Sequence, residues 1–513
     1  MEILTQILLN VSVLAFGGML LFPFSSRMNT PLYIALAWFC GWATVVILEM
    51  LLVIAGVYAT IPMIAGCGAL CVIVLWIVAR NSIAEKMVFK RREPRQLYCQ
   101  FAILLLLCVL VFILLAYFGQ YSFYSADSLQ IEGLSRTFHK YGVYGDGKSI
   151  YDGQLDVLHP LFTVRLPFYI AIHNIAYLCG IKVFYSFMAA TTFFTCLALW
   201  GFWSGKNDQF GFVSLIWFLL VLALFLSNRM LLLHSFYIHT SLTAMAYYTL
   251  GILSLYEYLN KKDYLWFMLA CLFLGCTGIL RIEMLLFSLL PFCYVGWKKC
   301  LPKFKITLLG FVLYFLVSYL WFCWGFLGLF GISEAIALVG WGEDSFLWFV
   351  ALGCVLSPFI FFFPWQMTNK RVRVAIYTLL FISALFFICY FNNKLMNSWN
   401  VFYLLTAKGA GNWGSFWRLL FWGVCIYAFL RILPVLLKIP LGEIKINLKA
   451  DIKGMDFLAY VLIAFLITRI VMCSISEGPP DWYHSGNRIL LHIYPVCVYF
   501  LGRIGFICTR EIT

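Results

Sequence analysis

The stretch "YSADSLQIEGLSRTFHKYGVYGDGKSIYDGQLDVLHP", residues 124–160, gathers Asp127, Glu132, Asp146, Asp152 and Asp156 in a chain that carries few charges elsewhere. Asp127 follows a long apolar run by a few residues, a depth at which partial loss of water makes a carboxylate more basic. There it can take a proton from a hydroxyl, hold a divalent cation, or cap the amphipathic helix that "SADSLQIEGLSRTFHKYG" predicts. Glu132 and Arg136 stand four residues apart on that helix and can pair with each other. His139 and Lys140 close it, where a helix dipole favours cations. The glycine-flanked "YGDGKSIYDGQLD" lacks the alternating ligands and closing glutamate of a calcium loop, and turn formation accounts for its Asp-Gly pairs. His159 ends the stretch.

Four cations stand where expected loops meet helices: Arg229, Arg281, Lys408 and Arg488. Arg281 shares "ILRIEML" with Glu283 inside an otherwise apolar hairpin, so the two form either a functional pair or a bridge locking two helices. Arg488 lies in "DWYHSGNRILLHIYP" with Asp481 and His484. A guanidinium offers a phosphate two parallel donors, which makes these arginines candidate phosphate ligands. His234 and His239 occupy "SNRMLLLHSFYIHTSLT". A substrate that is half lipid and half phosphate-sugar suits such a set. No Walker A or GxGxxG sequence points to a soluble nucleotide.

The elements that must carry these residues are apolar. Of 513 residues 64% are hydrophobic and 11% charged, against about a quarter charged in soluble domains. The expected fold is all-α, a polytopic transmembrane helical bundle of about 13–15 spans at roughly 20 residues each. The net charge of +14 resides in short loops between apolar runs, at 79–96, 296–305, 368–373 and 438–454. Positive loops on the cytoplasmic side explain that pattern and argue against nucleic acid as partner. Three spans near 4–23, 32–56 and 60–79 then put the N-terminus outside, and a fourth delivers the acidic loop, 120–180, to the extracytoplasmic face. There "LFTVRLPFYIAIHNIAYLCG", with Arg165, Pro167, His173 and Asn174, reads as a juxtamembrane helix lying along the outer surface.

Later spans are expected near 182–203, 211–227, 241–258, 264–280, 283–297, 306–326, 346–365, 373–390, 417–437, 457–474 and 489–507. This topology sends all seven histidines to the outer side. The eighteen cysteines lie mostly in apolar runs and form no CxxC, so they read as buried hydrophobes. The first apolar run lacks a basic leader and a cleavage site and reads as a retained helix. Three sections result: 1–97, three N-terminal helices and a basic loop; 98–300, holding the acidic loop; and 301–513, a C-terminal bundle.

This arrangement resembles the GT-C superfamily of polytopic glycosyltransferases, of the mannosyl- and aminoarabinose-transferase type. "YSADSLQIEGLSRTFHKYGVY" is similar to the family's acidic segment and "HPLFTVRLPFYIAIHNIAYLCG" to its surface helix. "CTGILRIEMLLFSLLPFCYVGWKK" is similar to its T-R-x-E-x-L-L-L-L-P stretch, and "HSGNRILLHIYPVCVYFLG" to its late arginine helix. The resemblance covers residues 98–300 and the last segment. It implies an inverting transfer of a sugar from a polyprenyl-phosphate donor to an acceptor hydroxyl on a lipid, glycan or protein. Asp127 would be the base, and Arg281, Arg488, Arg229 and Lys408 would hold the donor phosphate. Glu132, His139, His159, His234, His239, Glu283, Asp481 and His484 would line the sugar or acceptor side. The enzyme would work at the extracytoplasmic face of the cell (inner) membrane among membrane lipids. Histidines replace the second acidic residue of many relatives, which leaves a divalent cation, Mg or Mn, open. A flippase or transporter of lipid-linked saccharides, or an envelope polysaccharide polymerase or ligase, is the alternative.

Overall fold

The computed structural model describes residues 2–57, 59–84, 167–205, 212–235, 240–281, 283–322, 344–362, 415–437, 452–475 and 490–512, with 102, 103, 105–107, 109, 110, 135 and 139. Among these residues every regular element is helical and no strand occurs. The helices are α1 Glu2–Leu21, α2 Thr30–Ile54, α3 Ile61–Ala84, α4 Pro167–Leu178, α5 Ser186–Ser204, α6 Phe212–Leu226, α7 Arg229–His234 and α8 Thr240–Lys261. There follow α9 Tyr264–Leu280, α10 Met284–Phe287, α11 Leu290–Trp297, α12 Phe304–Phe322, α13 Asp344–Phe362, α14 Ser415–Leu437, α15 Ile452–Ile475 and α16 Tyr494–Ile512. Among the described residues five segments are long and apolar enough to cross a membrane: Glu2–Arg27, Thr30–Ile54, Ile61–Ala79, Ser186–Ser204 and Leu491–Thr509. The chain is a membrane protein built as a helical bundle. The expected spans near 99–119 and 373–390 lie largely or wholly outside the described residues.

The centre of the bundle is α8, every residue of which from Thr240 to Leu259 is buried. It packs against α9, α5, α15 and the 3-10 turn Leu491–Ile493. Its sequence, "TSLTAMAYYTLGILSLYEYLNK", is the least apolar of the long helices. A helix enclosed by protein meets no lipid, so its hydroxyls need only protein partners. Tyr247 donates to the Phe39 carbonyl at 2.9 Å and Tyr248 to the Phe287 carbonyl at 3.1 Å. At the periphery, α3 turns Leu70, Ile73, Val74, Ile77 and Val78 outward, the surface that a hydrocarbon solvent accepts.

Helices α1 and α2 approach at backbone distance. A Cβ on Gly17 would lie 1.8 Å from the Ala37 carbonyl oxygen, and one on Gly41 2.3 Å from that of Val13. Small residues allow such contact where apolar burial supplies no driving force between helices. α2 is also tied to α5: Asn29 caps α2 by accepting from the Leu32 amide at 3.0 Å while donating to the Gly201 carbonyl at 2.7 Å.

Three expectations are corrected. The span expected over 283–297 is broken into α10 and α11, because Pro291 has no amide to donate to Phe287. The Phe287 carbonyl takes its hydrogen bond from the Tyr248 hydroxyl instead, so the break is satisfied inside the protein. The loop expected at 228–240 contains α7, which Asn228 caps by accepting from the Met230 and Leu231 amides. α4 does not lie along a surface: Phe168 through Ala176 are all buried, packed on α2 and α9. Its 12 residues rise about 18 Å, too short to cross a membrane, and the bundle itself shelters its His173 and Asn174.

Side-chain contacts define two ends of the bundle. At one, Arg27 meets Asp263 at 2.7 Å, Lys261 meets Glu257 at 2.7 Å and Arg431 meets Asp456 at 2.9 Å. Lys298 caps the Trp297 ring at this end. These are the basic-loop ends of α2, α8, α9, α11, α14 and α15. The opposite end carries the start of α8, the end of α9, the far half of α15, all of α4 and α7, and the turn before α16.

Candidate functional site

α9 ends at Leu280, and Arg281 leaves the helix in an extended conformation, its amide still bonded to the Thr277 carbonyl at 3.0 Å. The extended backbone turns the guanidinium back toward the first turn of α8. There one terminal nitrogen donates to Ser241 Oγ at 2.9 Å and to Thr240 Oγ1 at 3.4 Å, and Nε donates to Glu283 Oε1 at 2.5 Å. The other terminal nitrogen, Nη2, bonds to no described residue, and the side chain keeps 19% exposure. Arg469, from the far half of α15, is close enough for its charge to act on the Glu283 carboxylate. Two guanidiniums thus address one carboxylate across a hydroxyl-lined helix start. Such a cluster can hold an anionic oxygen at Nη2 while Glu283 and Ser241 keep the fork in place.

One helical turn deeper along α8, Thr243 donates to the Tyr169 hydroxyl of α4 at 3.1 Å. The next residues of α4 form a second polar group. Asn174 Nδ2 donates to Glu49 Oε1 of α2 at 2.5 Å, and Asn174 Oδ1 lies 3.1 Å from His139 Nδ1. The His139 ring also packs against Tyr177, centroids 5.5 Å apart. His139 belongs to the acidic stretch 124–160, and this contact sets that one residue at the same end as Arg281 and Glu283.

The four described histidines, 139, 173, 234 and 492, all sit at this end, opposite the Arg27–Asp263 pair. His234 is wholly buried on α7 and His492 wholly buried in the turn that packs on α8. Among the predicted site residues the structure brings Arg281 and Glu283 into contact and anchors His139. Arg229 opens α7, with its side chain outside the described residues. Asp127, Glu132, His159, His239, Lys408, Asp481, His484 and Arg488 lie outside the described residues. No three His, Cys, Asp or Glu side chains converge among the described residues, and the loop carboxylates that a Mg or Mn ion would need are beyond them.

Sequence reasoning missed Glu49, Asn174 and Arg469 as a set. Two had a legible signal, since Glu49 and Arg469 are lone charges in long apolar runs, "WFCGWATVVILEMLLVI" and "AYVLIAFLITRIVMC". An ionisable residue at such a position marks a functional or partnered site by default. The partnership of Glu49 with Asn174, 125 positions later, had no signal in the chain.

Comparison with models of known families, with characterised proteins and with solved structures finds no match to this chain.

Proposed function

We propose that this protein is a membrane glycosyltransferase that moves a sugar from a polyprenyl-phosphate donor to an acceptor hydroxyl at the extracytoplasmic face of the cell membrane. The observation that carries the proposal is Arg281, fixed by Glu283 and Ser241 with one terminal nitrogen bonded to no described residue, at the end opposite the basic loops. Displacement at the anomeric carbon expels polyprenyl phosphate as an anion. That leaving group needs stabilising cations and no general acid. Arg281 would supply the charge, with Arg488, Arg229 and Lys408 as further candidates. Asp127 would take the acceptor proton, and attack from the face opposite the phosphate would invert the sugar.

The test is transfer of a labelled sugar from polyprenyl-phosphate donors by the purified protein in lipid nanodiscs. Asp127→Asn is expected to lose about 10²- to 10⁴-fold in rate at unchanged expression, the usual contribution of a general base. Full activity in that variant would remove Asp127 from the mechanism.

A second reading has its own observation. The interrupted helix pair α10 and α11 begins beside Arg281 and Glu283, and discontinuous helices are a recurring device of transporters. Movement of a lipid-linked saccharide across proteoliposomes, without a new glycosidic bond, would favour a flippase.

A further inference from the structure

The turn between α11 and α12 reads "WKKCLPKFK", residues 297–305, and its Lys298, Lys299, Lys303 and Lys305 are all exposed. Lys262 joins them. Tyr258 of α8 donates to the Cys300 carbonyl at 2.8 Å, and the Lys262 ammonium lies 5.3 Å from the centre of the Tyr258 ring. Five lysines thus gather at one corner of the basic end. Elsewhere at this end a carboxylate accompanies the cation, as Asp263 does Arg27, Glu257 does Lys261 and Asp456 does Arg431. None of the five lysines forms an ion pair with a described residue. Lys298 stands near enough to Asp456 for its charge to act there, but Arg431 already holds that carboxylate at 2.9 Å.

Local backbone preferences oppose several of these charges. Lys262 and Lys299 follow the ends of α8 and α11 in the left-handed conformation, at φ +56° and +52°, where glycine sits with less strain. Lys303 and Lys305 flank Phe304, the first residue of α12, where the helix dipole is positive and no acidic side chain offsets it. An anion in the turn would relieve that repulsion and pair with lysines that the fold leaves without carboxylates. An apolar face begins at the same place. Phe304, Leu308, Leu309, Val312 and Leu316 recur at helical spacing along α12 and are all exposed. From 304 to 316 the helix rises about 18 Å, against about 15 Å for half of a ~30 Å hydrocarbon core.

We propose that the α11–α12 turn with Lys262 and the outward face of α12 form a binding site for an anionic phospholipid, its phosphate among the lysines and an acyl chain along 304–316. A soluble phosphate would engage the lysines alone and leave the apolar strip bare, whereas a phospholipid uses both. Trp297, with the Lys298 ammonium 4.3 Å from its ring centre, supplies the aromatic group that favours headgroup level. The site shares no residue with the Arg281–Glu283 pair and does not depend on sugar transfer.

The test places a photoreactive benzophenone side chain at position 304 of the full-length protein, in bilayers of equal parts phosphatidylglycerol and phosphatidylcholine. Mass spectrometry after illumination reads which lipid is attached. Phosphatidylglycerol adducts should exceed phosphatidylcholine adducts by about fivefold or more, the factor that one lysine's attraction of about 1 kcal/mol to an anionic headgroup supplies. The same probe at position 212, the exposed start of α6, should capture the two lipids about equally. Replacing Lys298, Lys299, Lys303 and Lys305 together by Gln should bring the ratio at 304 close to one. Inorganic phosphate, added in place of chloride at equal ionic strength, should leave it unchanged. Equal capture at 304 with all lysines present overturns the proposal even if the quadruple variant does not fold. A preference that survives in that variant, or is as strong at position 212, overturns it as well. Loss of the preference in phosphate would mean a site for a soluble anion and would also overturn it.

Discussion

Replacing Arg281 by methionine keeps much of the side-chain volume and removes the charge. Glu283 then loses the donor at 2.5 Å, and Ser241 loses the partner at 2.9 Å. Both members of the ion pair are largely buried, with exposures of 19% and 11%, so water can screen or replace little of what is lost. Removing one partner of a buried pair typically costs about 3–5 kcal/mol, because the other charge stays behind without compensation. Arg469 remains close to Glu283 and offsets part of this, which places the expected loss near the lower bound, about 3 kcal/mol or roughly a hundredfold in the folded-to-unfolded ratio. Reversible denaturation in detergent micelles, followed by helical circular dichroism, measures it. The double variant Arg281→Met with Glu283→Gln removes the stranded charge and should return to within about 1–2 kcal/mol of wild type. Sugar transfer should remain lost in the double variant, which separates the donor-holding role of Arg281 from its role in the fold. A single Arg281→Met variant within about 0.5 kcal/mol of wild type would mean that Glu283 is not held by this pair, and the site as described would fail.

Three other outcomes follow from packing and bonding alone. Tyr248→Phe leaves the Phe287 carbonyl, already deprived of a helical donor by Pro291, without a partner in the interior. A loss of about 1–3 kcal/mol in the same denaturation is expected, against near-neutrality for Tyr→Phe at an exposed position. Gly17→Ala sets a methyl 1.8 Å from the Ala37 carbonyl oxygen, so α1 must move away from α2. A destabilisation of about 1–3 kcal/mol should accompany faster proteolysis at the N-terminus. Arg27→Ala removes the 2.7 Å contact with Asp263, but that pair is 37% and 23% exposed, and melting should shift by less than about 1 kcal/mol equivalent.

Much of the fold was legible because helix length and lipid contact both write themselves into local composition. The runs that became α1, α2, α3 and α5 show where they begin and end, with Asn29 and Pro31 marking the start of α2. The interrupted α10–α11 segment was less legible. Pro291 is visible, yet whether a proline kinks or breaks a helix depends on a partner for the freed carbonyl, and here that is Tyr248 from another helix. α4 shows the same limit: its polar residues suggested an outer surface, and tertiary packing buried His173 and gave Asn174 protein partners instead.

The sequence by itself determined that the chain is helical and membrane-embedded, that its basic residues gather in one set of loops, and that Arg281 stands two residues from Glu283. Those properties depend on composition and on spacing within a few residues. Only the tertiary structure decided that α8 lies at the centre, that Arg469 approaches Glu283, and that Glu49 reaches His139 through Asn174. These contacts join positions far apart in the chain. They exist because a buried polar group must find a partner wherever packing brings one, and that choice is made across helices and not along them.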